Sequence, residues 1–310
     1  MALIMSPDRD SYILGNCVVC GAVCWSYWRF GLWRCGSCGL VVDPAVFRPG
    51  AAQAVNEEAF GEDFNPERSF WVRWFDNWKS RRYLANLRRA GIAGGKLLEV
   101  GVGSGAFLRV AQKAGFEVEG CDLSSSLAAR VSRATGVPVH CTSLDQLPEK
   151  AYDVVVMHHV LEHVSDPIAF LRAARERLKP GGVLHLAVPN LACWQASFAG
   201  WNSYEPYHML YFEPASLRRT VEAACLHILD VWTFDPFSVW FLVLMRTLRS
   251  PRSSSVSGGM GSSGGALEHI YRIVMLAAGF VTWPLRWLAA QLGKGDELLL
   301  LATRSHDEPA

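Results

Sequence analysis

The stretch Leu97–Phe107 reads LLEVGVGSGAF. An apolar run carrying one acid, Glu99, ends in glycines at alternate positions, Gly101, Gly103 and Gly105, and then passes into residues that suit a helix. A buried strand that turns tightly into a helix needs such glycines, because they let the main chain approach a ligand where a side chain would collide. The segment therefore predicts a strand, a ligand-cradling loop and a helix. The loop alone leaves the ligand open. Gly101-x-Gly103-x-x-Ala106 also satisfies the dinucleotide fingerprint, and Asp122, about twenty residues on at the end of the next apolar run, would hydrogen-bond a ribose in either case.

Outward from the loop, apolar runs alternate with helix-like segments. Lys96–Gly101, Phe116–Asp122, Val137–Cys141, Tyr152–His159 and Val183–Asn190 read as strands, with helices after the first, second and fourth. Upstream, Phe70, Trp74, Phe75, Trp78, Leu84 and Leu87 recur at helical spacing between Pro66 and Gly91, which suit a helix start and stop. Continuous β-branched runs separated by helices describe a parallel sheet covered on both faces. The expected architecture is a doubly wound α/β domain over residues 66–310, preceded by a connector at 49–65 and a small head at 1–48.

The head is read from its cysteines. CVVCG at Cys17–Gly21 and CGSCG at Cys35–Gly39 give two Cys-x-x-Cys pairs fourteen residues apart. A two-residue gap lets both thiolates of a turn face one tetrahedral ion, so Cys17, Cys20, Cys35 and Cys38 predict a structural zinc ribbon with a closed shell and no catalytic position. Cys24 reads as a bystander, and Cys121, Cys141, Cys193 and Cys225 as core residues. The odd count of nine cysteines and the short apolar opening, MALIM, point to a reducing cytoplasm.

Several residues together carry a resemblance. Glu99 stands two positions before the first glycine, Asp122 ends the second strand, and YDVVVMHHVLEHVSDP, RLKPGG and AVPN follow in order. In these the chain resembles the seven-stranded, Rossmann-like (class I) S-adenosylmethionine-dependent methyltransferases. The head and PYHMLYFEPASLRRTVEAA further resemble a subgroup, including sugar and natural-product methyltransferases, in which a zinc-binding head precedes such a domain. The resemblance implies that Glu99, Gly101, Gly103, Gly105 and Asp122 hold the cofactor. Leu123, Ser143, Leu144 and His159 would complete the pocket wall, Ser143 standing where relatives place an acid near the adenine.

Methyl transfer is an in-line displacement at a sulfonium carbon, and an acceptor hydroxyl or acidic C–H must lose a proton. Histidine suits that role near neutral pH. His208, in the loop past the fifth strand, is the first candidate base and His163 the second, with Glu205, Tyr204 and Tyr207 placed to orient the ring or touch the acceptor. His159 and His163 have the i, i+4 spacing of a metal-binding pair on a helix, but the resemblance already assigns that region to the pocket wall.

The last two strands, His227–Phe234 and Glu297–Thr303, are separated by an insertion at about 235–294 with a Ser/Gly stretch inside it. Its apolar segments, within 237–291, read first as helices packed over the site. The second reading is a peripheral contact with the inner face of a membrane through Trp283, Arg286 and Trp287. The leading expectation is methyl transfer to a small molecule, such as a sugar, lipid-linked or natural-product intermediate. An RNA methyltransferase gripping its substrate through Arg29, Arg34, Trp25, Tyr27, Trp28 and Trp33 is the first rival, disfavoured by a net charge of only +1. A non-catalytic cofactor-binding or membrane-associated scaffold is the second.

Overall fold

The computed structural model describes residues 14–48, 50, 70–149, 151–205, 207–235, 240–249 and 277–305. The opening MALIM, nearly all of the expected connector and the Ser/Gly stretch lie outside the described residues.

The main body is a seven-stranded sheet. Its strands are β4 (Lys96–Val100), β5 (Glu117–Asp122), β6 (Val139–Cys141), β7 (Tyr152–His158), β8 (Leu178–Pro189), β10 (His227–Phe234) and β11 (Glu297–Thr303). They lie in the order β10-β11-β8-β7-β4-β5-β6. Strands β4 to β8 run parallel, whereas β11 is antiparallel to both β8 and β10. The helices are α1 (Phe70–Arg89), α2 (Ala106–Lys113), α3 (Ser125–Thr135), α4 (Pro167–Arg177), α5 (Pro214–Ala223), α6 (Trp240–Arg249) and α7 (Trp283–Gln291). Central β7 has Val154, Val155, Val156 and Met157 wholly buried, as its unbroken apolar run requires. The chain order reverses between β4 and β7, so a crevice opens beyond their carboxyl ends, where open α/β sheets bind ligands.

The head forms a second sheet from β1 (Trp25–Arg29), β2 (Leu32–Cys35) and β3 (Val41–Val42). Its fourth strand is β9 (Leu210–Tyr211), contributed by the loop between β8 and α5. Val41 stands opposite Tyr211 and Val42 opposite Leu210. Cys17, Cys35, Cys38, Leu40 and Val42 share one apolar core with Met209, Leu210 and Phe212 and with the body's β7 and β8. The head thus packs as part of the body rather than as a bead on a connector.

Leu161–His163 is a single 3-10 turn, so His159 and His163 do not lie on one helix face. Two expectations change. Cys121 and Cys193 are buried, but Cys141 and Cys225 are exposed, since β6 is an edge strand and Cys225 occupies a left-handed turn after α5. Arg286 does not reach outward; its guanidinium is buried and donates to the carbonyls of Asp235 and Gly279. Trp283, Leu285, Trp287 and Leu288 of α7 are nevertheless exposed. Among the described residues no helix is long and apolar enough to cross a membrane.

Candidate active site

The glycine loop leaves β4 with all three glycines in the left-handed region. A Cβ on Gly101 would stand 2.6 Å from Val160 Cγ2, and one on Gly105 would stand 2.7 Å from Val131 Cγ1, so these positions are closed by packing. At Gly103 a Cβ would meet nothing within 4 Å, leaving the loop's outer face open. Helix α1 steadies the loop, Ser104 Oγ donating to Asp76 Oδ2 at 3.1 Å.

Two acids flank this opening. Glu99 is buried and its Oε2 has no hydrogen-bond partner. Burial, opposed by the Leu108 amide, pushes its carboxyl well above the usual range. Asp122 accepts from the Val102 amide at 3.2 Å through Oδ2 and from the Ser124 amide at 2.9 Å through Oδ1. It therefore joins the glycine loop to the turn into α3. Burial raises its carboxyl despite those bonds. An orphaned buried carboxylate oxygen, an open glycine face and a strand-end acid with one bond per oxygen fit a polar ligand with an ammonium and ribose hydroxyls.

The adenine side is mixed. Leu123 is exposed beside Asp122 and offers an apolar surface. Ser143 precedes the 3-10 turn Leu144–Gln146, and hydrogen bonding from it holds the exposed Asp145 carboxyl below its ordinary range. Leu144 is buried, and its carbonyl already accepts from Arg177 Nε at 3.0 Å. Ser143 thus keeps a polar place at this edge, whereas Leu144 serves as packing.

The loop after β7 and the strap at 203–213 bring the predicted histidines together. His163 Nδ1 donates to the Tyr207 carbonyl at 2.9 Å and His208 Nδ1 to the Ser203 carbonyl at 2.8 Å. A carbonyl only accepts, so each ring donates from Nδ1, and in the neutral His208 imidazole the lone pair lies on Nε2. The ring centroids lie 4.8 Å apart. Burial holds His208 down to about 4, against the pull of Glu162. Glu205, raised by burial, lies on the same strap. Glu162, His163 and His208 each offer a ligand atom within 4.8 Å of the others, close enough for the carboxylate to stabilise a charged imidazole.

Sequence reasoning missed a buried charge network beside this cluster. His159, at φ +58°, places Nδ1 3.2 Å from Glu162 Oε1 and Nε2 2.7 Å from Glu297 Oε1, with Lys79 Nζ also 2.9 Å from Nε2. Lys79 of α1 approaches the same Glu297 oxygen at 2.9 Å, and the Tyr83 hydroxyl also donates to it. Burial and Lys79 pull the imidazole down, but its carboxylate partners outweigh them and raise it. Burial opposes ionisation of Glu162, yet the His159 hydrogen bond and charge hold it down at about 2. The predicted pocket residue His159 is therefore a bridge between two acids. His158 faces another way, 2.8 Å from His185 Nδ1 and stacked on Tyr83. The signal available in sequence was weak, Lys79 being one of several charges in an aromatic helix and Glu297 an acid directly before LLLL.

In the head, Cys17 Sγ lies 3.5 Å from Cys38 Sγ and Cys20 Sγ 3.5 Å from Cys35 Sγ, with all four sulfurs within 4.8 Å of one another. These spacings are too long for disulfides. They approach the roughly 3.8 Å edge of a tetrahedron with Zn–S bonds of about 2.3 Å. Gly21 and Gly39 take positive φ and donate to the Cys17 and Cys35 carbonyls, closing the two turns. Cys24 is exposed and uses its carbonyl to accept from Gly36.

Comparison with known proteins agrees with this geometry. A family model described as "Methyltransferase domain" matches residues 73–231, just over half of the chain. Ubiquinone biosynthesis O-methyltransferase from Pseudomonas aeruginosa is 31% identical over 136 residues, 41% of this chain and 53% of that protein. Its counterpart from Paramagnetospirillum magneticum is 37% identical over 138 residues, with the same coverage of 41% and 53%. The chain thus spans about half the length of these curated relatives. In fold it is similar to 1,6-didemethyltoxoflavin-N1-methyltransferase from Burkholderia thailandensis, solved with S-adenosylhomocysteine (TM-score 0.52, 14% identity, 91% of this chain and 99% of that one). A Thermotoga maritima S-adenosylmethionine-dependent methyltransferase gives the same TM-score of 0.52 at 18% identity, over 82% of this chain and 100% of that one. With the sheet order, the glycine loop and the strand-end acid in place, the chain belongs to the methyltransferase-domain family and has the class I, Rossmann-like fold.

Proposed function

We propose that the protein transfers the methyl group of S-adenosylmethionine to a small-molecule acceptor, a sugar, lipid-linked or natural-product intermediate. The observation that carries this reading is the meeting, at the ends of β4, β5 and β7, of a cofactor cradle and a histidine cluster. Bound S-adenosylmethionine supplies an electrophilic methyl group. Gly103 gives its main chain room, Asp122 accepts from its ribose, and Glu99 faces its ammonium side. Leu123 and Ser143 border the adenine.

On the acceptor side, His208 is the proposed proton acceptor through Nε2, its Nδ1 being fixed by the Ser203 carbonyl. Glu162 stands close enough to stabilise the imidazolium that forms. His163, Glu205 and Tyr207 shape the same wall. The curated relatives carry ubiquinone biosynthesis in their names, which supports a hydroxyl acceptor on a small molecule. The head's aromatics support packing rather than RNA contact: Trp25 stacks edge-on to Phe47, and Trp28 and Phe30 lie against Tyr204.

Calorimetry with S-adenosylhomocysteine tests the cofactor half, and absence of binding by a zinc-replete preparation would sink it. An untargeted comparison of metabolites between producing and deletion strains identifies the acceptor. The exposed aromatic face of α7 favours one addition, a peripheral bilayer contact. Flotation with anionic vesicles that is unchanged by Trp283→Ala with Trp287→Ala would remove it.

A further inference from the structure

The cysteine-rich head is built into the wall of the site. Its sheet is completed by β9, which lies two residues after His208. The Asp43 amide donates to the Met209 carbonyl at 2.9 Å, and the Met209 amide donates to the Glu162 carbonyl at 2.9 Å. The strap is thus gripped between the head and the turn that carries Glu162 and His163. Beyond β9 the grip continues: Arg34 pairs with Glu213, and Arg219 donates to the Ser37 carbonyl at 2.6 Å. Tyr204, at the strap's start, packs against Trp28 and Phe30 of the head. Both histidine rings take their orientation from strap carbonyls, those of Ser203 and Tyr207. The cofactor side is tied elsewhere, Asp122 to Val102 and Ser124, and Ser104 to Asp76.

We propose that the cysteine-rich head is a positioning element for the acceptor side: β3 and Arg34 hold the strap at 203–213, and loosening that grip misplaces His208 and His163 while sparing cofactor binding. The assignment of an acceptor side rests on the methyl-transfer reading; the mechanical coupling does not. The physical reason is that a strand of two residues has little stability of its own and takes its place from the strands beside it. Backbone pairing to a rigid, metal-closed sheet converts a long surface loop into a fixed wall, as a preorganised site requires.

The test compares Asp43→Pro with Asp43→Ala in the full chain. Asp43 has φ −77°, which proline accepts, so Asp43→Pro removes the amide to Met209, whereas Asp43→Ala keeps it and both lose the side-chain cap on Ala45. Hydrogen exchange is read by mass spectrometry on peptides covering 203–213, alongside calorimetry with S-adenosylhomocysteine. We expect exchange in the strap to rise about tenfold in Asp43→Pro beyond Asp43→Ala, with S-adenosylhomocysteine affinity within about threefold of the parent. Parental strap protection in folded Asp43→Pro overturns the proposal, as does a collapse of cofactor affinity in step with strap opening. If Asp43→Pro does not fold, Arg34→Ala combined with Arg219→Ala decides by the same readouts, with a rise of about threefold expected and an unchanged strap refuting. A parent that fails to bind S-adenosylhomocysteine defeats the methyl-transfer reading alone, because strap exchange is read independently of it.

Discussion

Replacing Asp122 separates a cofactor site from a merely structural strand end. Each of its oxygens already accepts one backbone amide, from Val102 and from Ser124, so each retains a lone pair for a ribose hydroxyl. Hydrogen bonds to a charged group contribute about 1.5–3 kcal/mol each. Loss of one ribose contact should therefore weaken S-adenosylhomocysteine by about tenfold and loss of two by about a hundredfold or more. Asp122→Ala removes both, together with the two loop ties, whereas Asp122→Asn keeps one carbonyl-type acceptor and the shape. The expected order of affinity is parent, Asp122→Asn, Asp122→Ala, measured by calorimetry on proteins whose cooperative thermal unfolding shows them to be folded. A folded Asp122→Ala that binds S-adenosylhomocysteine within twofold of the parent would refute the reasoning, since the acid would then be only a cap for α3.

His208→Ala should lower turnover by about a hundredfold or more on the acceptor found by metabolite comparison, while leaving cofactor affinity nearly intact, as expected for loss of a general base; parental turnover at saturating acceptor removes His208 from the mechanism. Burial lowers His158 and His185, the latter to about 4. The unfolded chain, titrating near 6.5, takes up protons first, so stability is full above about pH 6.5 and is lost as pH falls toward 4. For His185 alone this amounts to about 2 kcal/mol between pH 6.5 and 5, to be read from urea midpoints; midpoints that stay flat over that range contradict it. Metal analysis should find about one zinc per chain on Cys17, Cys20, Cys35 and Cys38. Cys35→Ser should loosen the head before the body, and a metal-free protein with a cooperatively folded head contradicts the assignment.

What could be read from sequence was local. β4, its glycine loop and α2 follow from composition within a dozen residues, and β7 from an apolar run long enough to exclude an exposed strand. β9 could not be read, because two residues show no periodicity and their partner, β3, lies about 170 positions earlier. The i, i+4 spacing of His159 and His163 has no helical counterpart for a related reason: the chain leaves β7 through a left-handed residue and makes a single 3-10 turn, which does not place those positions on one face. Lys79, Tyr83 and Glu297 meet across more than 200 residues, and an acid at the head of an apolar strand does not announce its partner.

That network also sorts the site's residues by what they have left to offer. His159 spends both nitrogens on Glu162 and Glu297, and its positive φ, sparsely populated by residues other than glycine, persists because those carboxylates hold the ring. To contact a cofactor it would have to abandon a buried acid, and breaking such a pair costs about 3–5 kcal/mol. Lys79 and His159, whose imidazole its carboxylate partners raise, face the buried acids Glu162 and Glu297, so the two carboxylates are compensated between α1, β7 and β11. Its role follows as a keystone joining those three elements beside the crevice. Within it Glu162 and Glu297 each keep an unpartnered Oε2, and further capacity lies on either side. Glu99 has an unpartnered oxygen on the cofactor side, and His208 has a neutral ring whose Nδ1 alone is committed to the strap's backbone. A base held neutral by burial takes a proton most readily when a negative charge stands beside it, so His208 Nε2 should accept the acceptor's proton as the acceptor attacks the methyl group, with ionised Glu162 stabilising the imidazolium that forms.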